Sequence, residues 1–321
     1  MKTFAKIFIS LAFACTLIYY VFKDQELEKL WNEMLTMQMG WLFMSYVAAF
    51  FAHWLRGIRW LMMAKNSSYL ISTVDSFFAV MLGYTINLVL PRGGELARCS
   101  YLQQKNLIPF MFSLGTVMVE RIIDLIVMLI FLILSFVLEY NKISSFLFKN
   151  TVTPYESNVK LIATIGLICL IAVFTVLYFK KKLLSLNLIK NLLQGFTSVL
   201  KQKNPFIFCL YSFSIWIFYF LMMFFALKAY KQTEYLTLSE TLCILMISTF
   251  GMIVPVPGGT GAYHFLVTQG LVLFGIYEPY AITFATVSHA LQIFEILSLF
   301  ILASVLNFIS KPKKIFVSNT D

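Results

Sequence analysis

Charged residues are scarce in this chain, and those in apolar surroundings fall into a few short groups, so any chemistry has few places to occur. The first group is Pro91-Arg92-Gly93-Gly94-Glu95-Leu96-Ala97-Arg98. Pro91 ends a helix, the two glycines free the backbone, and Glu95 suits the positive end of a helix restarting there. Glu95 and Arg98 are three apart, so they share a helical face and can pair. A helix start leaves backbone N–H groups without partners. With Arg92 and Arg98 beside it, the segment reads as an anion site. The plainer reading is a cytoplasmic loop whose arginines only mark the inner face. The Gly-Gly pair before Glu95 argues instead for a shaped backbone.

Glu120-Arg121-Ile122-Ile123-Asp124 stands about twelve residues into an apolar run that starts at Ile108. Charges at that depth must face the protein interior and pair. Glu120 and Asp124, four apart, share a face, and Arg121 and Asp124, three apart, are expected to close an ion pair. The group either fixes helix packing alone, or it holds Arg92 and Arg98 in place, or it moves protons as a site opens. Arg56 and Arg59 lie in His53-Trp54-Leu55-Arg56-Gly57-Ile58-Arg59-Trp60, near the end of another apolar run. They are expected to snorkel to the interface, with Trp54 and Trp60 in an aromatic belt; contact with lipid phosphate is the rival.

A second break, Pro255-Val256-Pro257-Gly258-Gly259-Thr260-Gly261-Ala262-Tyr263-His264, has no Lys or Arg. Its helix-start amides and Thr260 can hold an anion or a sugar hydroxyl, and His264 titrates near neutral pH. In the last apolar run His289 and Glu295 are six apart and do not stack. His289 is expected to pack; Glu295, an acid in a long apolar run, joins the candidate site. Nothing has metal-ligand spacing, hydrolase triads and phosphate-binding glycine patterns are absent, and no cofactor is expected. The five Cys show no CxxC and read as small apolar side chains.

The elements that carry these residues follow from composition. Of 321 residues, 60% are hydrophobic, 17% aromatic and only 12% charged, and mean hydropathy is +0.82. A soluble domain has about 25% charged residues, so a soluble enzyme, a disordered chain and a disulfide-rich secreted domain are excluded. The long apolar runs exclude a β-barrel. The net charge of +10 sits at the ends of apolar runs, which points to an anionic lipid surface and not to nucleic acid.

Full spans are expected at 4–22, 39–63, 108–138, 161–179, 206–227 and 280–309. The first continues past the Ala12-Phe13-Ala14-Cys15 stretch, so it reads as an uncleaved span and not as a signal peptide. Lys2 and Lys6, the Lys180-Lys181-Lys182 block with Lys190, Lys201 and Lys203, and Lys311, Lys313 and Lys314 place both termini and the middle in the cytoplasm. For the crossings to close, 74–107 must begin and end inside, and 236–279 begin and end outside. Each is therefore expected as a re-entrant hairpin of two half-helices; the alternative is one full span plus a surface loop. Residues 183–200 have one apolar face and suit an interfacial helix, with a weaker counterpart at 25–36.

The two breaks are alike. Thr85 through Pro91 to Gly93-Gly94 repeats as Thr249 through Pro255 to Gly258-Gly259, and the charge count gives the two opposite orientations. The expected architecture is an all-α polytopic membrane protein, with six full spans plus two re-entrant helical hairpins arranged as an inverted repeat. It is one integral membrane domain, with half-repeats over 1–140 and 159–310 and a basic amphipathic linker over 180–204. Matched Gly/Pro breaks in two halves point to a transporter's midplane site.

At these motifs the sequence resembles the flippase-like, lysylphosphatidylglycerol synthase transmembrane region family. The resemblance rests on Arg56/Arg59, Pro91/Gly94-Glu95/Arg98, Glu120-Arg121/Asp124 and Pro255/Pro257-Gly258-Gly259/Gly261, in order over nearly the whole chain. It departs at His264, which stands where the family's acid is expected, and at the first break, a residue short. Bifunctional relatives add a cytoplasmic acyltransferase-like domain that attaches the amino acid. With none after Asp321, this chain is not expected to aminoacylate lipid by itself.

The resulting expectation is a cytoplasmic-membrane (inner-membrane) flippase or lipid-binding transporter. Its partner is a lipid with an anionic head group, phospholipid or polyprenyl-phosphate-linked. The alternatives are a membrane-embedded head-group transferase with Glu95 or Asp124 as base, and an accessory subunit that presents lipid to a separate synthetase or glycosyltransferase.

Overall fold

The computed structural model describes residues 19, 27–65, 69, 71–106, 108–147 and 204–310. The spans expected at 4–22 and 161–179, the linker at 180–204 and both termini fall outside these residues, apart from residues 19 and 204. Among the described residues every regular element is helical. They are α1 (Leu27–Leu35), α2 (Met39–Lys65), α3 (Thr73–Val89), α4 (Gly94–Asn106), α5 (Phe110–Leu138), α6 (Tyr140–Leu147), α7 (Pro205–Lys228), α8 (Leu238–Ile253), a 3-10 turn (Pro257–Gly259), α9 (Ala262–Leu273) and α10 (Glu278–Ile309).

Three helices, α5, α7 and α10, are long and apolar enough to cross a membrane, and α3 and α8 are shorter apolar helices. The protein is thus a membrane protein whose regular elements, among the described residues, are all helical. On α5 the side chains of Ile126, Ile130, Ile133, Leu134 and Val137 are exposed, while Glu120, Asp124, Val127, Phe131 and Ser135 are buried. The exposed stripe repeats every three or four residues and faces the hydrocarbon; the buried stripe faces the protein. Along α7, Trp41 stacks on Phe225 and Phe51 on Phe218, at ring-centroid separations of 5.8 and 5.4 Å, which fixes α2 against it.

The helices α3 and α4 form a tight hairpin. Ser72 caps α3 by accepting from the Asp75 N–H at 3.0 Å. The turn back is closed by Gly93 N–H donating to Leu90 O at 3.0 Å, with Arg92 in the left-handed region at φ 62°. A second hairpin joins α8 to α9. Thr237 and Glu240 form a reciprocal capping box at its start. Its bend passes through the 3-10 turn, where Gly258, Gly259 and Gly261 have φ of 58°, 74° and 83°, values that favour glycine.

The two bends meet. Arg92 Nη2 donates to Ile253 O at 3.3 Å, and Leu88 packs against Gly258. Their open ends lie apart along α10. At one, Lys105 reaches Asp75 Oδ1 at 2.6 Å and also donates to Asn307, near the C-terminal end of α10. At the other, Lys142 reaches Glu240 Oε1 at 2.5 Å and sits 5.5 Å from the Phe274 ring, just before α10 begins. Glu278 and Asn307 are about 44 Å apart along a helix rising 1.5 Å per residue. Between them His289 Nε2 meets Gly258 O at 2.9 Å.

Candidate functional site

Five of the expected site residues converge in one buried cluster. Arg56 and Arg59 on α2, three apart, point the same way. Glu120 and Asp124 on α5, four apart, face them, and Arg98 enters from α4. Arg56 Nη1 donates to Glu120 Oε1 at 2.7 Å and to Asp124 Oδ2 at 2.6 Å. Arg59 Nη2 donates to Glu120 Oε1 at 3.2 Å. Its Nη1 lies 2.8 Å from Asp124 Oδ1, but at an angle that makes no hydrogen bond. Arg98 Nη2 donates to Glu120 Oε2 at 2.5 Å, and its guanidinium lies 4.5 Å from the Trp60 ring centroid. Glu120 and Arg59 are 0% exposed.

These contacts correct three expectations. Arg56 and Arg59 do not snorkel: they turn inward and carry the ion-pair network. Trp60 is 1% exposed, so it is no part of an interfacial belt; its Nε1–H donates to Thr116 Oγ1 at 2.8 Å. The same-helix pairs do not form either. Arg121 bonds Glu95 Oε1 of α4 at 2.7 Å instead of Asp124, and Arg98 bonds Glu120 instead of Glu95. For Arg98 the cross-helix partner wins because the Glu120 carboxylate is aligned with it and shielded from water, whereas Arg121 and Glu95 pair at the more exposed edge.

Beside the cluster is a small, half-open cleft with room for about one water, lined by Arg56, Val80, Gly83, Tyr84, Asn87, Gly94, Glu95, Arg98 and Arg121. Around it four guanidinium groups, those of Arg56, Arg59, Arg98 and Arg121, meet three carboxylates, those of Glu95, Glu120 and Asp124. One positive charge is left over. The Nε atoms of Arg56, Arg59 and Arg98 are buried without a hydrogen-bond partner, an expensive condition for a charged donor. Asn87 holds the start of α4 by accepting from Gly94 N–H at 2.8 Å. Tyr84 approaches Tyr219 Oη at 3.4 Å, and the Arg56 guanidinium lies 5.9 Å from the Tyr219 ring centroid.

Tyr84 and Asn87 are site residues that the sequence reading missed. Their signal is two polar residues three apart in the last two turns of α3, where Thr85 is the other polar side chain. The remaining candidates lie elsewhere. Gly93 and Arg92 form the first bend, with Arg92 on its exposed rim. Pro257, Gly258, Gly259, Thr260 and Gly261 form the second bend, which touches the first but does not line the cleft. His264 Nδ1 accepts from Gly261 N–H at 3.3 Å, at the start of α9, and its ring is 4.7 Å from that of His289. Glu295 sits apart, buried within α10.

Residues 7–299 match the family described as the lysylphosphatidylglycerol synthase TM region. The chain belongs to that family. The match covers all five residues of the buried cluster and both bends of this family member. The chain is also 26% identical over 148 residues to the UPF0104 membrane protein MJ1595 of Methanocaldococcus jannaschii; the matched stretch is 45% of this chain and 42% of that protein. The chain thus matches less than half of that relative's length. No solved structure matches the lysylphosphatidylglycerol synthase TM region of this chain at a significant level.

Proposed function

We propose that the protein is a flippase or lipid-binding transporter of the cytoplasmic (inner) membrane for a lipid with an anionic head group. One observation carries this reading: a buried cluster with one uncompensated positive charge, two of whose arginines, Arg56 and Arg98, line a cleft. An anion supplies the missing charge. A phosphodiester, with a single charge and several acceptor oxygens, neutralises the excess through Arg56 and Arg98, which line the cleft. Glu120 and Asp124 do not touch it; they hold the guanidinium groups in place. Arg121 and Glu95 guard the mouth. The family's name, which concerns a phosphatidylglycerol derivative, agrees with a phosphodiester.

Re-entrant hairpins in an inverted repeat fit this role. At 17 and 13 residues, α3 and α4 are about 25 and 20 Å long, shorter than a hydrocarbon core of about 30 Å. The meeting of the two bends midway along α10, with the open ends of the hairpins apart, supports entry from opposite faces. Rocking of the halves 1–140 and 159–310 about that meeting point then exposes the cleft alternately to either side, while acyl chains stay in lipid.

Arg98→Ala tests the assignment without breaking the fold. It leaves Arg56 and Arg59 against Glu120 and Asp124, a balanced set. Mass spectrometry of lipid co-purifying with the variant is expected to show about a tenfold loss of bound anionic phospholipid, the weight of one or two charge-assisted hydrogen bonds. Movement of fluorescent phosphatidylglycerol across proteoliposomes should fall in parallel. Equal retention and equal movement would reject the site. A covalently altered head group appearing in the same vesicles would mark a transferase instead.

A further inference from the structure

The apolar helix α10 carries a line of polar residues: Ser288, Gln292, Glu295 and Ser298, spaced four, three and three, so that they share one face. Three of them have side-chain partners outside α10. Tyr263 Oη of α9 donates to Ser288 Oγ at 3.1 Å and accepts from Gln292 Nε2 at 2.9 Å. Ser298 shares a hydrogen bond of 3.1 Å with Tyr46 of α2. Glu295, between them, is 1% exposed, and its Oε1 is sealed and without a hydrogen-bond partner among the described residues.

No cation compensates it among the described residues. From α9 the group facing it is Tyr263, and from α2 it is Tyr46. Against the neighbouring Ile296, Leu299 and Ala303 of α10, α3 packs Phe77, Met81, Leu88 and Tyr84, whose hydroxyl is turned to Tyr219. On α10 itself, His289 lies off this face and is held by Gly258 O. A lone carboxylate repels a phosphate, so it does not serve the lipid site as an anion ligand. A metal ion needs several oxygen or nitrogen ligands, and no group of three or more His, Cys, Asp or Glu among the described residues could hold one. The ligand that fits a single buried, unpaired carboxyl is a proton.

We propose that Glu295 is a proton-binding site coupled to the movement of the lipid, an inference that rests on the transport reading above. In the conformation seen here Glu295 carries its proton. Tyr263 directly follows the glycine bend and bonds the Glu295 face of α10, and His289 ties the same stretch of α10 to Gly258, which packs on the first hairpin. A shift of the bends therefore opens the polar line to water. The carboxyl O–H then breaks, its proton passes to water on one side, and the carboxylate takes a proton back from the other side before the next cycle.

Two measurements test this. Infrared spectroscopy of the purified protein at neutral pH reads the site without any transport. A protonated-carboxyl C=O stretch is expected in the wild type and is lost in Glu295→Gln and in Glu295→Met. Both variants should stay monodisperse because no side chain among the described residues is bonded to the Glu295 carboxyl. An identical carboxyl band in wild type and variants overturns the proton site, whether or not lipid moves. In proteoliposomes with fluorescent phosphatidylglycerol, a gradient of one pH unit should displace the wild-type lipid distribution by up to about tenfold for one proton per lipid. Glu295→Gln should abolish that displacement and still retain bound lipid. Wild-type movement indifferent to the gradient overturns the coupling and leaves the flippase reading standing. No wild-type movement at all overturns that reading and the coupling with it.

Discussion

Glu120→Gln is expected to cost the protein about 3–5 kcal/mol, the range for removing one partner from a buried ion pair. Three guanidinium groups from two helices converge on this carboxylate, and both of its oxygens are used. Gln keeps the shape but removes the charge. Arg56, Arg59 and Arg98 would then share Asp124 alone, and the buried excess around Glu120 and Asp124 would rise from one positive charge to two. The variant should lose most of its monodisperse protein in detergent and melt far below the wild type. Asp124→Asn should be milder, because Arg98 keeps its bond to Glu120. The double variant Arg98→Ala/Glu120→Gln returns the excess to one charge and should recover part of the loss. Such recovery is the signature of direct coupling in a double-mutant cycle. If Glu120→Gln melts with the wild type, the cluster is not the keystone that its geometry makes it.

The helices at 39–63, 108–138, 206–227 and 280–309 are legible in the sequence because long apolar runs leave the chain no other way to satisfy its backbone in lipid. The structure places α2, α5, α7 and α10 within two residues of those bounds. Both bends are legible for a related reason: Pro91 and Pro255 stop a helix, and the Gly-Gly pair lets the chain turn back on itself. The partners of the charges were not legible. Spacing along one helix says which side chains share a face, so Arg121 pairs with Asp124 and Glu95 with Arg98 on paper. It says nothing about which helix lies opposite. Once α2 is apposed to α5, Arg56 and Arg59 reach Asp124 and Glu120 first, and Arg121 is left to Glu95 across the gap to α4. Arg56 and Arg59 read as interfacial because they stand near the end of an apolar run, yet a carboxylate pair buried opposite them outweighs the pull of water. Tyr84 and Asn87 stayed hidden because polar side chains on α3 do not say what packs opposite them, and only a folded neighbour shows that they line a cleft.

Gly94→Ala should be as damaging as the loss of Glu120, through sterics alone. A Cβ on Gly94 would stand 2.0 Å from Gly83 O, 2.6 Å from Gly83 C and 2.9 Å from Asn87 Cγ. The first two are backbone atoms of a packed helix and cannot swing aside. The arms of the first hairpin must therefore separate, at a cost above the usual range for an overpacked core of about 1–3 kcal/mol. The separation also pulls Gly94 N–H from Asn87 and shifts Arg98 and Glu95, which α4 carries, so lipid retention should fall together with stability. Gly83→Ala meets Gly94 O at 3.1 Å, a contact that a few tenths of an ångström relieve, and should be clearly milder. Gly40→Ala in α2 has open space around its Cβ and should leave stability unchanged or raise it by up to about 1 kcal/mol. Thermal melts of the three variants in one detergent give the order directly. Gly94→Ala melting beside Gly40→Ala would mean that α3 and α4 do not cross at backbone contact. The cleft lined by Gly83, Asn87 and Gly94 would then lose its floor.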